Sequence, residues 1–448
     1  MPVSPARAAA FDILLRVERD KSYASELLHS TTHDRLSTPD HALTTELVMG
    51  VLRWRSSLDA EIAASSSQSL SKLDIEVLLA LRLALYQLRY LDRVPARAAL
   101  NESVELVKRA RKRSAAPFVN AVLRKLAAAP NPSRIPSEAH SSESIATAFA
   151  HPLWLVERWS KAYGLGIAQQ ICKHNQSSPT TTVRLRSPNA ESTLVAEGIT
   201  LEPGSLLSSS RRILAGDVTK AKAFHNYEVT IHDEGSQLVA ALVGSTKEET
   251  RILDCCAAPG GKTIAISDNN PASTITALEL HPHRARLLQK LLPPNVASRI
   301  HVIAADAKRV PLSLCYDRIL TDVPCSGTGT LARNPEIKWH LTADDLANLH
   351  LRQVAILRSA LEQLAPGGRL IYSTCSLEKE ENEDVVEEVL GEEKTLRLRD
   401  CRKELEELKA TGELVWPHAD KLTSGPYLRT IPGIQDCDGF FAAILERG

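Results

Sequence analysis

Up to about residue 128 the apolar positions of the chain recur three and four apart. Ala10, Leu14 and Val17 mark one stripe, and Leu43, Leu47, Gly50, Val51 and Trp54 a second. Ile75, Leu78, Leu79, Leu83 and Tyr86 form a third; Val104, Leu106 and Val107 and then Phe118, Val119, Val122, Leu123 and Leu126 complete the set. β-Branched alternation is missing, so the spacing predicts an all-α bundle. Pro95 and Pro117 fall near helix starts, where a proline gives up no hydrogen bond. Residues 127–144, AAAPNPSRIPSEAHSSES, lose the period and fill with Pro, Ser and Ala, which reads as a linker.

Beyond the linker the pattern mixes. Residues 151–164 carry a helical stripe ending near Gly164 or Gly166, 180–187 read as a strand, and 211–216 as another. From about 236 short apolar runs alternate with helical stretches. Strands are expected at 251–256, 274–280, 299–306, 316–322, 369–375 and 439–445, with a helix over 344–364. That alternation argues for a doubly wound α/β domain whose ligand binds at the carboxyl ends of its strands. The acidic stretch 378–413 reads mainly as solvated helix surface. The domains expected are therefore 1–128 (helical), a linker at 129–144, 145–235 (a small α+β connecting unit) and 236–448 (catalytic α/β).

Composition narrows the function classes. The 448 residues are 43% apolar and 24% charged, in the range of globular proteins. Lys and Arg number 54 and so do Asp and Glu, so any contact with nucleic acid must use local charge. Residues 1–128 hold 19 Lys and Arg against 14 Asp and Glu, and Lys108, Arg109, Arg111, Lys112 and Arg113 form the densest basic cluster. The bland reading of such a cluster is a solvated helix face; the functional one is phosphate contact. Arg184, Arg186, Arg333 and Lys338 are secondary candidates. No run of about 18 apolar residues is present, the first ten residues read as a helix start, and the eight cysteines contain no CxxC pair. These features point to a reducing cytoplasm with most thiols free and to no membrane span; the cysteine spacings suggest no metal site, and nothing here implies an obligate protein partner.

The sharpest motif is DCCAAPGGKT, residues 254–263, between an apolar strand and a helix. Gly260 and Gly261 allow a tight turn and close approach of a ligand, and the helix start offers unbonded N–H groups to an anion. The GxxxxGK spacing of a phosphate loop is absent. Glu279 closes the next strand, at the distance where nucleotide-binding α/β folds place a ribose acceptor, and Asp306 closes the third. Two further strand ends carry sulfur: DVPCSGTG (322–329) with Cys325, and STCS (373–376) with Cys375. A lone cysteine is usually inert packing. Two at the ligand edge, beside polar and glycine-rich turns, suit a nucleophile. Cys172, Cys315, Cys401 and Cys437 lack this setting and read as packing; Cys255 is expected near the first strand, buried.

With these residues in view, the chain resembles the bacterial ribosomal RNA small-subunit methyltransferase B group within the RNA cytosine-C5 methyltransferases. The likeness covers essentially the whole length. DCCAAPGGKT resembles that family's S-adenosylmethionine loop, DVPCSGTG and STCS its two cysteine motifs, and DEGSQLVA (233–240), RNPEIKW (333–339) and the terminal DGFFAAILER fit the same pattern. GVLRW, LNESVEL and FVNAVLRKL resemble the antitermination factor NusB. Val323 stands where the family usually has Ala, Arg186 where it often has Asn, and 391–412 looks like a variable insertion. The resemblance implies a NusB-like helical bundle, an α+β connecting domain and a Rossmann-like methyltransferase domain. It implies S-adenosyl-L-methionine held by Cys256, Ala257, Ala258, Pro259, Gly260, Gly261, Lys262, Glu279, Asp306 and Asp322. It assigns Cys375 as the nucleophile adding to cytosine C6, Cys325 to product release, Asp322 to the base edge and Lys262 to the same cavity. The substrate implied is 16S rRNA, unassembled or partly assembled. DNA cytosine-C5 enzymes use the Pro-Cys cysteine instead, so Cys375 favours RNA. Two other readings stay open: a transfer-RNA cytosine methyltransferase, and a non-catalytic NusB-like RNA-binding protein, which would have no use for both cysteines, Asp322 and the glycine turn.

Overall fold

A computed structural model describes residues 3–29, 36–131, 140–246, 248–312 and 315–448. Residues 132–139, the middle of the expected linker, lie outside the described ones. The chain forms two compact units, Met1–Ser178 with Leu331–His340, and Pro179–Thr330 with Leu341–Gly448.

Among the described residues the first unit is built from helices without strands: α1 Pro5–Asp20, α2 Ala24–Leu28, α3 Thr38–Ser65, α4 Ile75–Tyr90, α5 Ala96–Arg109, α6 Ala116–Ala128, α7 Ser142–Ala148, α8 Leu153–Tyr163 and α9 Leu165–Asn175. The stripes of the N-terminal bundle meet in one core. α4 is buried at every position from Val77 to Gln87, as its nearly all-round apolar surface requires of a central helix. Arg82 within it is satisfied by Asp59 at 2.7 Å and Glu18 at 3.0 Å. Gly50 on α3 lies under Tyr86, where a Cβ would fall 1.9 Å from the ring. The segment Leu331–His340 belongs to this unit although its sequence neighbours on both sides do not. Trp339 donates its ring N–H to the Leu52 carbonyl at 2.6 Å, Arg53 donates to the Ala332 carbonyl at 2.9 Å, and the Glu336 carboxylate accepts the Ala24 amide at 2.9 Å.

The second unit carries two sheets. The smaller is antiparallel, with β1 Thr181–Leu185, β2 Thr200–Pro203, β3 Ser210–Ala215 and β4 Val229–Ile231 in the order β2-β3-β1-β4. The larger comprises β5 Arg251–Asp254, β6 Thr274–Glu279, β7 Ile300–Ala304, β8 Tyr316–Asp322, β9 Leu364–Thr374, β10 Leu396–Arg399, β11 Thr423–Ser424, β12 Tyr427–Arg429 and β13 Phe441–Arg447. Its order runs β7-β6-β5-β8-β9-β13-β12-β11, with β10 also paired to β13. β5 to β9 are parallel, and β13 returns antiparallel against β9. All six strands expected in this half are present. From β5 the chain builds outward to β7, then crosses to β8 on the other side of β5. That reversal opens a crevice at the carboxyl ends of β5 and β8, where α/β folds bind ligands.

Two expectations need correction. The stretch 378–413 is not solvated helix throughout: Glu378, Glu381, Asn382 and Glu404 are buried, and residues 396–399 form a strand. Cys315 is exposed, whereas Cys172, Cys255, Cys401 and Cys437 are buried.

Candidate active site

β5 ends on Asp254, and the turn that follows leads into the helix Gly261–Asn269. Gly260 caps that helix at φ +115°, a region that side-chain-bearing residues avoid, and a Cβ there would fall 2.4 Å from Leu288. Asp254 is buried; one oxygen accepts from Thr263 Oγ1 at 2.7 Å and the other has no hydrogen-bond partner. Burial pushes its carboxyl up to about 6, with the Asp322 charge adding to the effect and the Thr263 bond opposing it. Residues 256–262 line a cavity of about 450 Å³ with Asp254, Asp322, His232 and the apolar faces of Phe224, Val229, Ile231 and Ile264.

β8 ends on Asp322, which is held from two directions. Lys262 Nζ lies 2.8 Å from Oδ2, and Ser373 Oγ donates to Oδ1 at 2.8 Å. Burial disfavours the Lys262 ammonium, but the Asp322 charge and hydrogen bond outweigh it and hold the group above its ordinary value. The ammonium also stands 4.9 Å from the centre of the Phe440 ring. Lys262 is thus a fixed positive charge inside the crevice.

Cys325 follows β8 and Cys375 follows β9, and because those strands are parallel neighbours their ends converge. The two sulfurs lie 3.3 Å apart, both thiols free and partly accessible. The Cys325 thiol is pushed well up, first by its bond to the Cys375 sulfur, then by burial and by the charges of Glu381 and Asp322. The two thiols lie within hydrogen-bond distance of each other, and either sulfur can be the donor.

The remaining sequence-derived candidates separate. Glu279 ends β6, is buried and accepts the His281 amide at 2.9 Å. Asp306 lies two residues past β7 and caps the short turn Ala307–Arg309, accepting the Lys308 amide at 3.0 Å. Among the described residues, Glu279, Asp306 and the two cysteines stand outside the cavity walls. Lys108, Arg109, Arg111 and Arg113 are exposed and Lys112 partly so; Lys108 pairs with Glu105, Arg109 with Asp12 and Lys112 with Asp74. Arg184 and Arg186 both grip Asp268, at 2.6 and 2.8 Å, and so tie β1 to the helix after the glycine turn. Arg333 is partly buried. Lys338 is 1% exposed and donates to the Arg53 carbonyl at 2.9 Å, so its charge is turned inward, away from any phosphate.

Sequence reading passed over Glu381. It is fully buried beneath both cysteine loops and accepts hydrogen bonds from each. Its place five residues after Ser376 was the available signal, but the surrounding run of acids masked it.

Comparison with known proteins agrees with this geometry. Residues 241–446 match the family model of 16S rRNA methyltransferase RsmB/F, residues 4–128 that of the NusB family, and residues 151–209 that of a ferredoxin-like domain of RsmF/B-like methyltransferases. The chain is 34% identical to the probable ribosomal RNA small subunit methyltransferase B of Bacillus subtilis over 100% of both chains. It is 30% identical to the ribosomal RNA small subunit methyltransferase B of Vibrio cholerae over 98% of this chain and 97% of that one. Among solved structures, that of PH0851 superposes with a TM-score of 0.80 at 20% identity over 100% of both chains, a likeness of fold.

Proposed function

The chain belongs to the RsmB/F family of 16S rRNA methyltransferases, and from that premise we propose that it methylates C5 of a cytosine through a transient bond between Cys375 and C6, with S-adenosyl-L-methionine as donor. The observation that carries this reading is the pair of sulfurs 3.3 Å apart at the strand ends flanking the crevice, beside the Lys262–Asp322 pair. One sulfur would suffice for a simple nucleophile. Two suit a reaction that must both make and break a carbon–sulfur bond.

The residues around the crevice fit the donor. The Gly260–Gly261 turn leaves room for close approach, and the helix it opens presents N–H groups to a carboxylate. The unpartnered, buried oxygen of Asp254 can accept from an ammonium, and Glu279, at the end of β6, from ribose hydroxyls. Asp306 is the candidate for the adenine amine. When bound, the sulfonium supplies an electrophilic methyl group.

The chain's own residues supply the rest. C5 of cytosine is too weak a nucleophile to take that methyl group unaided. Addition of the Cys375 thiolate to C6 would push the ring electrons onto C5, which could then take the donor's methyl group as the methyl–sulfonium bond breaks and a neutral thioether leaves. Asp322, fixed by Lys262 and Ser373, accepts from the exocyclic amine or a protonated N3 and steadies the adduct. Loss of the C5 proton returns the electron pair through the ring to the sulfur, and the C6–S bond breaks. Cys325, 3.3 Å from Cys375, is the residue we assign to assist that elimination. A single-stranded target makes it cheapest to bring the base out of its stack. The exposed basic residues of 108–113 are the proposed phosphate contacts.

Bisulfite sequencing of rRNA and tRNA from a strain lacking the gene, complemented with variants, tests the reading. One 16S cytosine should lose its 5-methyl group and regain it with the wild-type gene only. Cys375→Ala should abolish transfer, and Cys325→Ala should accumulate a denaturation-resistant protein–RNA adduct. An adduct in Cys375→Ala, or loss of the mark from tRNA alone, overturns it.

A further inference from the structure

Below the two sulfurs lies a buried carboxylate that the chemistry above does not use. Glu381 is 0% exposed. Its Oε1 accepts the Ser326 amide at 2.8 Å and Gln353 Nε2 at 2.9 Å. Its Oε2 accepts Ser376 Oγ at 2.5 Å and also the Ser326 hydroxyl. Ser326 directly follows Cys325, and Ser376 directly follows Cys375. The two serine hydroxyls meet each other at 3.0 Å. One carboxylate therefore joins the loop after β8 to the loop after β9 through the residue next to each sulfur. Gln353 extends the tie by donating to the Pro324 carbonyl at 3.0 Å, on the other side of Cys325. The glutamate is itself anchored, since Tyr372 of β9 donates its hydroxyl to the Glu381 carbonyl at 2.6 Å.

A buried carboxylate is costly unless its oxygens are filled, and here four donors fill them. A packed apolar residue could occupy the same space, but it could not hold two loops in register through directed bonds. The charge also acts on chemistry, being one of the causes that keep the Cys325 thiol protonated beside Cys375.

We propose that Glu381 is a positioning residue that clamps the two cysteine loops together and sets the spacing at which Cys325 and Cys375 face one pyrimidine ring. This rests on the covalent reading of the preceding section, but the spacing itself can be measured without the reaction. Phenylarsine oxide condenses with two thiols held within one arsenic span, releasing water, and binds single thiols weakly. The wild-type enzyme should bind one equivalent, and Cys325→Ser should abolish that binding.

In Glu381→Ala the arsenical affinity should fall at least about tenfold while a monofunctional maleimide still labels both cysteines. Its kcat for methyl transfer should fall about 100-fold, with KM for RNA within about twofold, because a misplaced reacting group costs rate and not binding. Glu381→Gln keeps an acceptor for Ser326 N–H and Gln353, and the serine hydroxyls can turn to accept from its amide, so it should restore most of both quantities. If Glu381→Ala does not fold, the double variant Ser326→Ala, Ser376→Ala removes two of the four donors and is judged by the same two measurements. Native arsenical affinity, with or without lost transfer, overturns the clamp; so does lost affinity with full transfer. A wild-type enzyme that never methylates a cytosine defeats the covalent reading instead, and the arsenical measurements then decide the spacing alone.

Discussion

Lys338 shows how far a single residue can depart from what its type suggests. A lysine beside an arginine-containing motif reads as a phosphate contact, yet this one is enclosed in the first unit, with its stem packed and its ammonium on the Arg53 carbonyl. Burial pushes it down to about 7, the nearby Cys172 opposing and Arg53 reinforcing the shift. Folded, it releases its proton near pH 7; unfolded, near the ordinary 10.5. Between those values the unfolded chain binds more protons, so stability contributed by this site rises with pH. The urea midpoint of the wild type should accordingly gain on that of Lys338→Met from pH 7 to pH 10. His151 is also held well below its ordinary value by burial and by Lys338, but titrates below that window, and Cys172, pushed up to about 12, is common to both chains. A constant difference between the two proteins would mean that the ammonium meets water.

At the scale of elements, the turn between β8 and the segment after it is packed backbone to backbone. Gly329 N–H donates to the Cys375 carbonyl at 2.9 Å, and Gly439 N–H to the Gly329 carbonyl at 2.8 Å. A Cβ at Gly329 would fall 2.3 Å from the Gly439 oxygen and 2.8 Å from that of Cys375, and no flexible side chain is there to yield. Gly329→Ala should cost about 1–3 kcal/mol in denaturant unfolding and weaken the binding of phenylarsine oxide to the two cysteines, since both loops must move. The glycine-rich composition of this turn was visible in the sequence, as were the parallel strands β5 to β9 and the antiparallel β13, because strands in the middle of a covered sheet read as apolar runs. β2, β4 and β10 to β12 were not. They are two to four residues long, mostly at sheet edges, and carry too few positions for a period to register. The acidic run after β9 failed for another reason: charge averaged over many residues conceals one member turned inward onto hydrogen-bond donors.

For the whole molecule, chain order and spatial grouping part company. Leu331–His340 interrupts the second unit in sequence but completes the first, and no periodicity distinguishes a segment that continues its domain from one that leaves it. Charge behaves similarly. The chain is neutral overall, and the basic cluster of 108–113 is partly neutralised by Glu105, Asp12 and Asp74, leaving Arg111 and Arg113, beyond the end of α5, as exposed arginines outside these three pairs. If these contact phosphate, Arg111→Ala with Arg113→Ala should weaken binding of a 16S fragment and lower the slope of log K against log salt by about 1–2. An unchanged slope would assign the cluster to the solvated face of the bundle. No helix among the described residues is long and apolar enough to cross a membrane.

By itself the sequence determined the helical bundle, the parallel sheet and the residues that stand at its strand ends, because each depends on periodicity and on neighbours a few positions away. Only the tertiary structure decided that Cys325 and Cys375 share a 3.3 Å contact, that Lys262 spends its charge on Asp322, that Arg184 and Lys338 are occupied within the protein, and that Glu381 lies beneath the sulfurs. These pairings join residues 50 to 285 positions apart or turn a side chain from water to core. Nothing local encodes them; they follow from which strands lie side by side and which polar groups must find partners once water is excluded.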